Sequence, residues 1–168
     1  MVACHVDTFA SAAVDAGCDV TRTSADGFTT TLSTVVEAPA VGTPLPYTDT
    51  SYEGTPVDTA ATPDGLRGAR TGVTAARSAI ADYGSLVLEA SGAGEELVSI
   101  YPDRHVAVVA ASDVVPDMPS AIDGIAEVAR GTGDAIIATG PSATADMGAV
   151  VTGVHGPQTV HVVILGDR

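Results

Sequence analysis

The chain contains no lysine, no asparagine and no tryptophan. Its seven basic residues are all arginine, set against 21 acidic ones, and the formal net charge is −14. A nucleic-acid partner needs a basic patch to neutralise its phosphates, so that class is excluded. An anionic membrane surface is excluded on the same ground. Without lysine there is no ammonium to clamp a phosphate or to form a Schiff base. Long apolar runs are missing as well. Residues 106–111 and 162–165 fall far short of the roughly 20 residues that cross a bilayer. No basic residue precedes an apolar run in residues 1–10, so no signal peptide is expected.

Cysteine is scarce. Cys4 and Cys18 are too few and too awkwardly spaced for an iron–sulfur or zinc site. Two reduced, partly buried thiols are expected, with one disulfide as the alternative. The histidines at 5, 105, 155 and 161 show no paired ligand spacing, and neither a metal nor a cofactor is expected. Aromatic residues make up only 4% of the chain and apolar residues 45%. Alanine and valine dominate, which suits thin α/β layers.

The charge imbalance strains a compact state through self-repulsion. Concentrated salt relieves it, because the Debye length falls to about 3 Å near 1 M. The acid excess and the missing lysine match a cytoplasmic protein of a halophile; an acidic protein of an ordinary cell is the alternative.

The pattern divides into two parts of what is expected to be a single α/β domain over residues 1–168. Residues 1–65 are weakly patterned. A helix is expected over 6–16 and a strand over 19–22. A second helix from Ser24 to Val35 is opposed by the β-branched Thr29, Thr30 and Thr31. Prolines at 39, 44, 46, 56 and 63 mark a loop, crossed by one short strand near 57–60. From residue 66 the order is clearer. Strands are expected over 72–76 and 85–89, around a turn at 80–84. Residues 105–110 form a continuous aliphatic run, as a parallel strand buried on both faces should. Pro119 or Ser120 opens a helix to about Arg130. A strand at 135–138, a turn at 140–146, a helix to about Thr152 and a strand at 159–165 complete a parallel strand–helix alternation.

Three ordered motifs carry a resemblance, the C-terminal one in two pieces. Residues 140–146 read Gly-Pro-Ser-Ala-Thr-Ala-Asp, and 153–157 read Gly-Val-His-Gly-Pro before an aliphatic strand. Upstream, residues 80–85 read Ile-Ala-Asp-Tyr-Gly-Ser. The run from His105 followed by Val115-Pro116-Asp117 is the third. Together these resemble the lactate-utilisation protein C family, also called the LUD-domain, DUF162 or YkgG-like family. The likeness is good from about Thr71 onward and weak before it. It implies a mostly parallel sheet flanked by helices, like that of the NagB/RpiA/CoA-transferase group. It implies a cluster-free subunit or accessory protein in the oxidation of lactate to pyruvate, beside iron–sulfur subunits. Two departures matter. Ala143 stands where the family has an arginine, which would fork a carboxylate or phosphate. Asp82 stands for a glutamate, one methylene shorter.

The candidate site residues each admit two readings. Residues 140–146 can hold a small anionic metabolite through Gly140, the hydroxyls of Ser142 and Thr144, and the free N–H groups of a helix. Alternatively Ser142 or Thr144 caps that helix and Asp146 complements its dipole. Asp82, with Gly84 and Ser85 beside it, is the candidate for chemistry as a partly buried carboxyl, or else a turn residue with a local hydrogen bond. His155 is a ligand-binding group or part of a helix stop with Gly156-Pro157. An eight-residue helix would hold it roughly 12 Å from Ser142, so the two are not expected to meet within one subunit. A homodimer interface could still join them. His161 reads as a core or edge histidine. Arg104 and His105 approach a ligand or snorkel at the surface. Two further functions stay open: a stand-alone enzyme on a small phosphorylated or acyl-CoA substrate, and a small-ligand-binding regulatory module.

Overall fold

The computed structural model describes residues 2–60, 62–131, 133–146 and 149–168. In chain order the strands are β1 (Asp19–Thr23), β2 (Ala40–Gly42), β3 (Val57–Asp58), β4 (Thr71–Ala75), β5 (Ser78–Ile80), β6 (Ser85–Ala90), β7 (Arg104–Ala110), β8 (Val114–Val115), β9 (Asp134–Thr139), β10 (Ala143–Asp146), β11 (Ala149–Thr152) and β12 (Thr159–Leu165). The helices are α1 (Val2–Asp15), α2 (Phe28–Val35), α3 (Pro63–Gly68), α4 (Glu95–Ile100) and α5 (Met118–Arg130).

The aliphatic runs form the middle of a six-stranded, all-parallel sheet in the order β1-β12-β7-β4-β2-β3. β12 and β7 pair from Thr159 opposite Arg104 to Leu165 opposite Ala110. Strands with apolar residues at every position can only be buried on both faces, and the alternation decides which face each side chain meets. Val106, Val108, Val163 and Leu165 point to one face, where Phe28 and Leu32 of α2 cover them. Ala107, Val109, Val162 and Ile164 point to the other, where they meet Phe9 and Ala13 of α1. The same face receives Leu86 and Leu88 of a second sheet, ordered β8-β5-β6-β9. The far face of that second sheet, with Ile80 and Val87, is closed by Ala121 and Ile125 of α5.

Local chemistry accounts for the helix ends. Asp117 caps α5, its carboxylate accepting from the Ser120 N–H at 2.9 Å, and Pro119 occupies the first turn. Thr62 caps α3 through the Gly65 N–H at 3.1 Å. α2 forms despite its threonines because Phe28 and Leu32, one turn apart, are wholly buried. Packing there overrides propensity.

Three expectations need correction. The segment after residue 142 is a hairpin, with β10 and β11 antiparallel from Ala143 opposite Thr152 to Asp146 opposite Ala149. Thr144, Val150, Val151 and Thr152 are β-branched, and Gly148 would interrupt any helix laid over them. β9 is not a member of the parallel sheet: it runs antiparallel to β6, with Ser85 opposite Thr139. Strand β5 and helices α3 and α4 fall where no element was expected. They are six residues or fewer, too short to show a period.

Candidate functional site

The signature motifs, scattered along the chain, meet in space. β5 pairs with β8, and the Asp82 N–H donates to the Pro116 carbonyl at 3.1 Å, joining the motif at 80–85 to Val115-Pro116-Asp117. Ser85 and Thr139 share a hydroxyl hydrogen bond of 2.7 Å, joining the same motif to the start of the 140–146 segment. Helix α1 and the turn that ends it press on both. Gly84 has φ +63° and Gly140 has φ +68°. A Cβ at Gly84 would strike the backbone of Ala12 and Ala13, and one at Gly140 would strike the Ala16 carbonyl. These two glycines are required by close approach as well as by φ.

Beyond Gly140 the chain turns beneath the base of the hairpin. The Ser142 N–H donates to the Pro157 carbonyl at 2.9 Å, and the Gly153 N–H donates to the Ser142 carbonyl at 3.0 Å. Ser142 and His155 therefore line one cavity of about 280 Å³. The separation expected from an intervening helix disappears because a hairpin returns to its starting point. The cavity opens at the amino edge of the parallel sheet, where His105 and Val160 are the second residues of β7 and β12. Its wall comes from Leu86 and Leu88 of β6 and Ile136 and Ala138 of β9. So the 140–146 segment follows the carboxyl end of β9 but serves the amino edge of the main sheet, opposite to the crevice position expected for a parallel strand.

His105 lies in the cavity wall and is 2% exposed. Its Nε2 shares a hydrogen bond of 2.8 Å with Thr74 Oγ1. Burial pushes its pKa down to about 4, so the ring is neutral near pH 7. His155 is exposed at the rim.

The other expected residues fall elsewhere. Asp82 is exposed in a 3₁₀ turn (Ala81–Tyr83) and does not line the cavity. The partly buried carboxyl expected there is corrected, because the turn carries its side chain outward. Thr144 sits half-buried in β10, opposite Val151, and Asp146 ends that strand. With no helix following, neither caps one, and no helix N-terminus is offered to an anion at this turn. His161 is buried in β12, its Nε2 sharing a bond of 2.9 Å with Thr21 Oγ1. Burial lowers its pKa, opposed by Asp19. Arg104 pairs with Glu37 at 3.2 Å. Cys4 is exposed and Cys18 buried, both as free thiols. Burial raises the Cys18 pKa, opposed by a hydrogen bond with the Gly140 backbone.

A second crevice, of about 410 Å³, lies at the carboxyl edge between β4 and the proline-rich loop after β2, and sequence reasoning missed it. Tyr47, Arg77, Glu89 and Asp113 line it. Arg77 donates to Glu89 at 2.8 Å and to Glu127 at 3.0 Å. The Tyr47 hydroxyl accepts from the Ala110 N–H at 3.1 Å, and burial pushes its pKa up to about 12. Burial also raises the Asp113 pKa, opposed by a Ser112 hydrogen bond and by Arg77. One signal was available: Arg77 follows an expected strand at its carboxyl end. Already paired with two carboxylates, it is a poor fork for an anionic ligand.

A parallel sheet with a smaller mixed sheet on one face, and a ligand-sized cavity between them, defines the class: an α/β protein with an amino-edge pocket. The chain belongs to the LUD domain family, whose model matches residues 42–165. The crystal structure of a DUF162 family protein from Deinococcus radiodurans superposes with a TM-score of 0.78 over 99% of each chain, at 20% identity, and so shares the fold. Lactate utilization protein C of Bacillus subtilis is 36% identical over 105 residues, covering 60% of this chain and 44% of that protein. The Macrococcus caseolyticus protein of the same name is 27% identical over 168 residues, covering 89% of this chain and 73% of that protein. The chain spans less than half the length of the Bacillus subtilis relative it matches. Among the described residues no helix is long and apolar enough to cross a membrane.

Proposed function

We propose that the chain acts as a cluster-free subunit or accessory protein in the oxidation of L-lactate to pyruvate, beside an iron–sulfur partner. The amino-edge cavity is its ligand site, with Gly140, Ser142 and His155 as the ligand-binding set. The observation that carries this reading is the convergence of the signature turns: residues 140–142 and 155–157, far apart in their expected roles, line one cavity. Relatives named lactate utilization protein C supply the biological setting. With only Cys4 and Cys18, the chain cannot itself hold a four-thiolate cluster, so electrons leaving lactate pass to centres on a partner.

Deleting the gene tests the role directly. Growth on lactate should fail while growth on a carbon source that bypasses lactate continues, and purification in high salt should bring an iron–sulfur protein with the chain. Undiminished growth on lactate would sink the proposal. A regulatory ligand-binding module is the second reading. It is favoured by Asp82, the residue singled out for chemistry, lying exposed and outside the cavity.

A further inference from the structure

We infer that the amino-edge cavity takes an uncharged, largely apolar small molecule bearing one hydrogen-bonding oxygen, and that it excludes lactate and other carboxylates. This rests on the reading of the cavity as a ligand site, and it separates the bound ligand from the molecule being oxidised.

Charge is the first observation. The chain carries 21 acidic and 7 basic residues, yet among the described residues no Asp, Glu, Lys or Arg lines the cavity. A carboxylate placed inside would lose its hydration and find no guanidinium or ammonium to replace it. The family's arginine position is Ala143, so this chain has no such group at the turn itself. The surrounding surplus of acids opposes an anion further. A cation is no better served, because among the described residues no carboxylate lines the space.

The second observation is His105. Its ring is almost wholly buried, and Nε2 is taken by Thr74. Nδ1 makes no hydrogen bond among the described residues, yet the residue lines the cavity. That nitrogen is not sealed in the core: it is not among the buried side-chain atoms left without a partner, so it keeps access to the cavity space. The neutral imidazole presents either a donor or an acceptor at Nδ1, according to which way the Thr74 hydroxyl turns. A hydroxyl or carbonyl on the ligand satisfies it in either case. Ser99, Thr139 and Ser142 also line the cavity with hydroxyl-bearing side chains.

Shape completes the argument. Leu86, Leu88, Ile136 and Val160 give the cavity a largely apolar lining. A volume of about 280 Å³ holds a one- or two-ring molecule with room for its oxygen. The ligand class is therefore that of phenols, naphthols and ring ketones rather than short hydroxy acids.

The test uses the full chain in high salt, with 2-naphthol as the neutral probe and L-lactate as the charged one, each titrated by ligand-observed NMR and calorimetry. The expected result is saturable binding of 2-naphthol, no binding of lactate at the same concentration, and a change in the His105 ring nitrogen resonances on adding naphthol. Ala138→Leu fills the cavity and should weaken naphthol at least tenfold. His105→Phe keeps the ring volume, removes the hydrogen bond and should weaken it by a smaller factor. Circular dichroism checks that both variants are folded. Lactate binding that Ala138→Leu abolishes would overturn the inference while leaving a lactate-system site intact. Failure of naphthol to bind, or binding indifferent to Ala138→Leu, also overturns it. Naphthol binding together with unimpaired growth of the deletion strain on lactate would instead remove the proposed pathway and keep the ligand class.

Discussion

His105 is the residue on which the cavity turns, and its burial has a consequence for stability. Held neutral in the fold with a pKa of about 4, it would titrate near 6.5 in an unfolded chain. On acidification the unfolded state takes up the proton first. Stability contributed by the neutral ring is therefore complete above the unfolded value, falls as the pH drops through it, and levels off below the folded value. The full difference is of order 3 kcal/mol. Other groups titrate in the same window, so the comparison is with His105→Gln. Between about pH 7 and about pH 4 the parent should lose up to ~3 kcal/mol more than that variant in denaturant unfolding. Parallel pH curves for the two proteins would show that His105 is not held neutral by burial.

At the scale of elements, α1 is the strut between the two sheets. It fills the space between them with Phe9 and Ala13; its backbone lies directly on Gly84, and that of Ala16, in the turn just after it, lies on Gly140. Neither glycine can accept a Cβ without moving α1 or the turn that ends it, since the obstructing atoms are backbone. Both also hold φ values that alanine resists. Gly84→Ala and Gly140→Ala are each expected to destabilise by ~2 kcal/mol or more. Gly54, with positive φ but open space around it, should cost about 1 kcal/mol from φ alone. Guanidinium unfolding of the three variants decides it; equal losses would mean that helix contact contributes nothing. Much of this element scale was legible. The runs at 105–110 and 159–165 read as buried parallel strands, and a helix opening at Pro119 or Ser120 was readable from proline's preference for a first turn, one or two residues after its actual start at Met118. The hairpin at 143–152 was not. A short apolar stretch between two glycine-bearing turns fits one helical turn or two strands equally well, and only β-branching favoured strands.

Across the whole molecule, charge dominates. Arg22, Arg67, Arg70, Arg77, Arg104 and Arg168 each lie beside a carboxylate. That leaves most of the 21 acids without a cation to answer them. Exposed pairs of this kind contribute little individually, so the surplus repulsion stands. Raising potassium chloride from about 0.1 M to about 2 M should raise the thermal midpoint by at least about 5 °C. A midpoint that does not move with salt would show that self-repulsion is unimportant in this fold.

Composition and pattern alone determined the acidic surplus, the α/β class and the family likeness. Each depends on totals or on contiguous residues, and these are present in the chain before it folds. Tertiary structure alone decided which turns meet. The partnership of Ser142 with His155, the burial of His105 with one ring nitrogen engaged, and the absence of charge in the cavity wall all depend on chain direction. A hairpin brings its ends together, whereas a helix of the same length holds them apart. Nothing in residues 143–152 taken by themselves separates those outcomes as firmly as the bonds from Ser142 to Pro157 and Gly153 do.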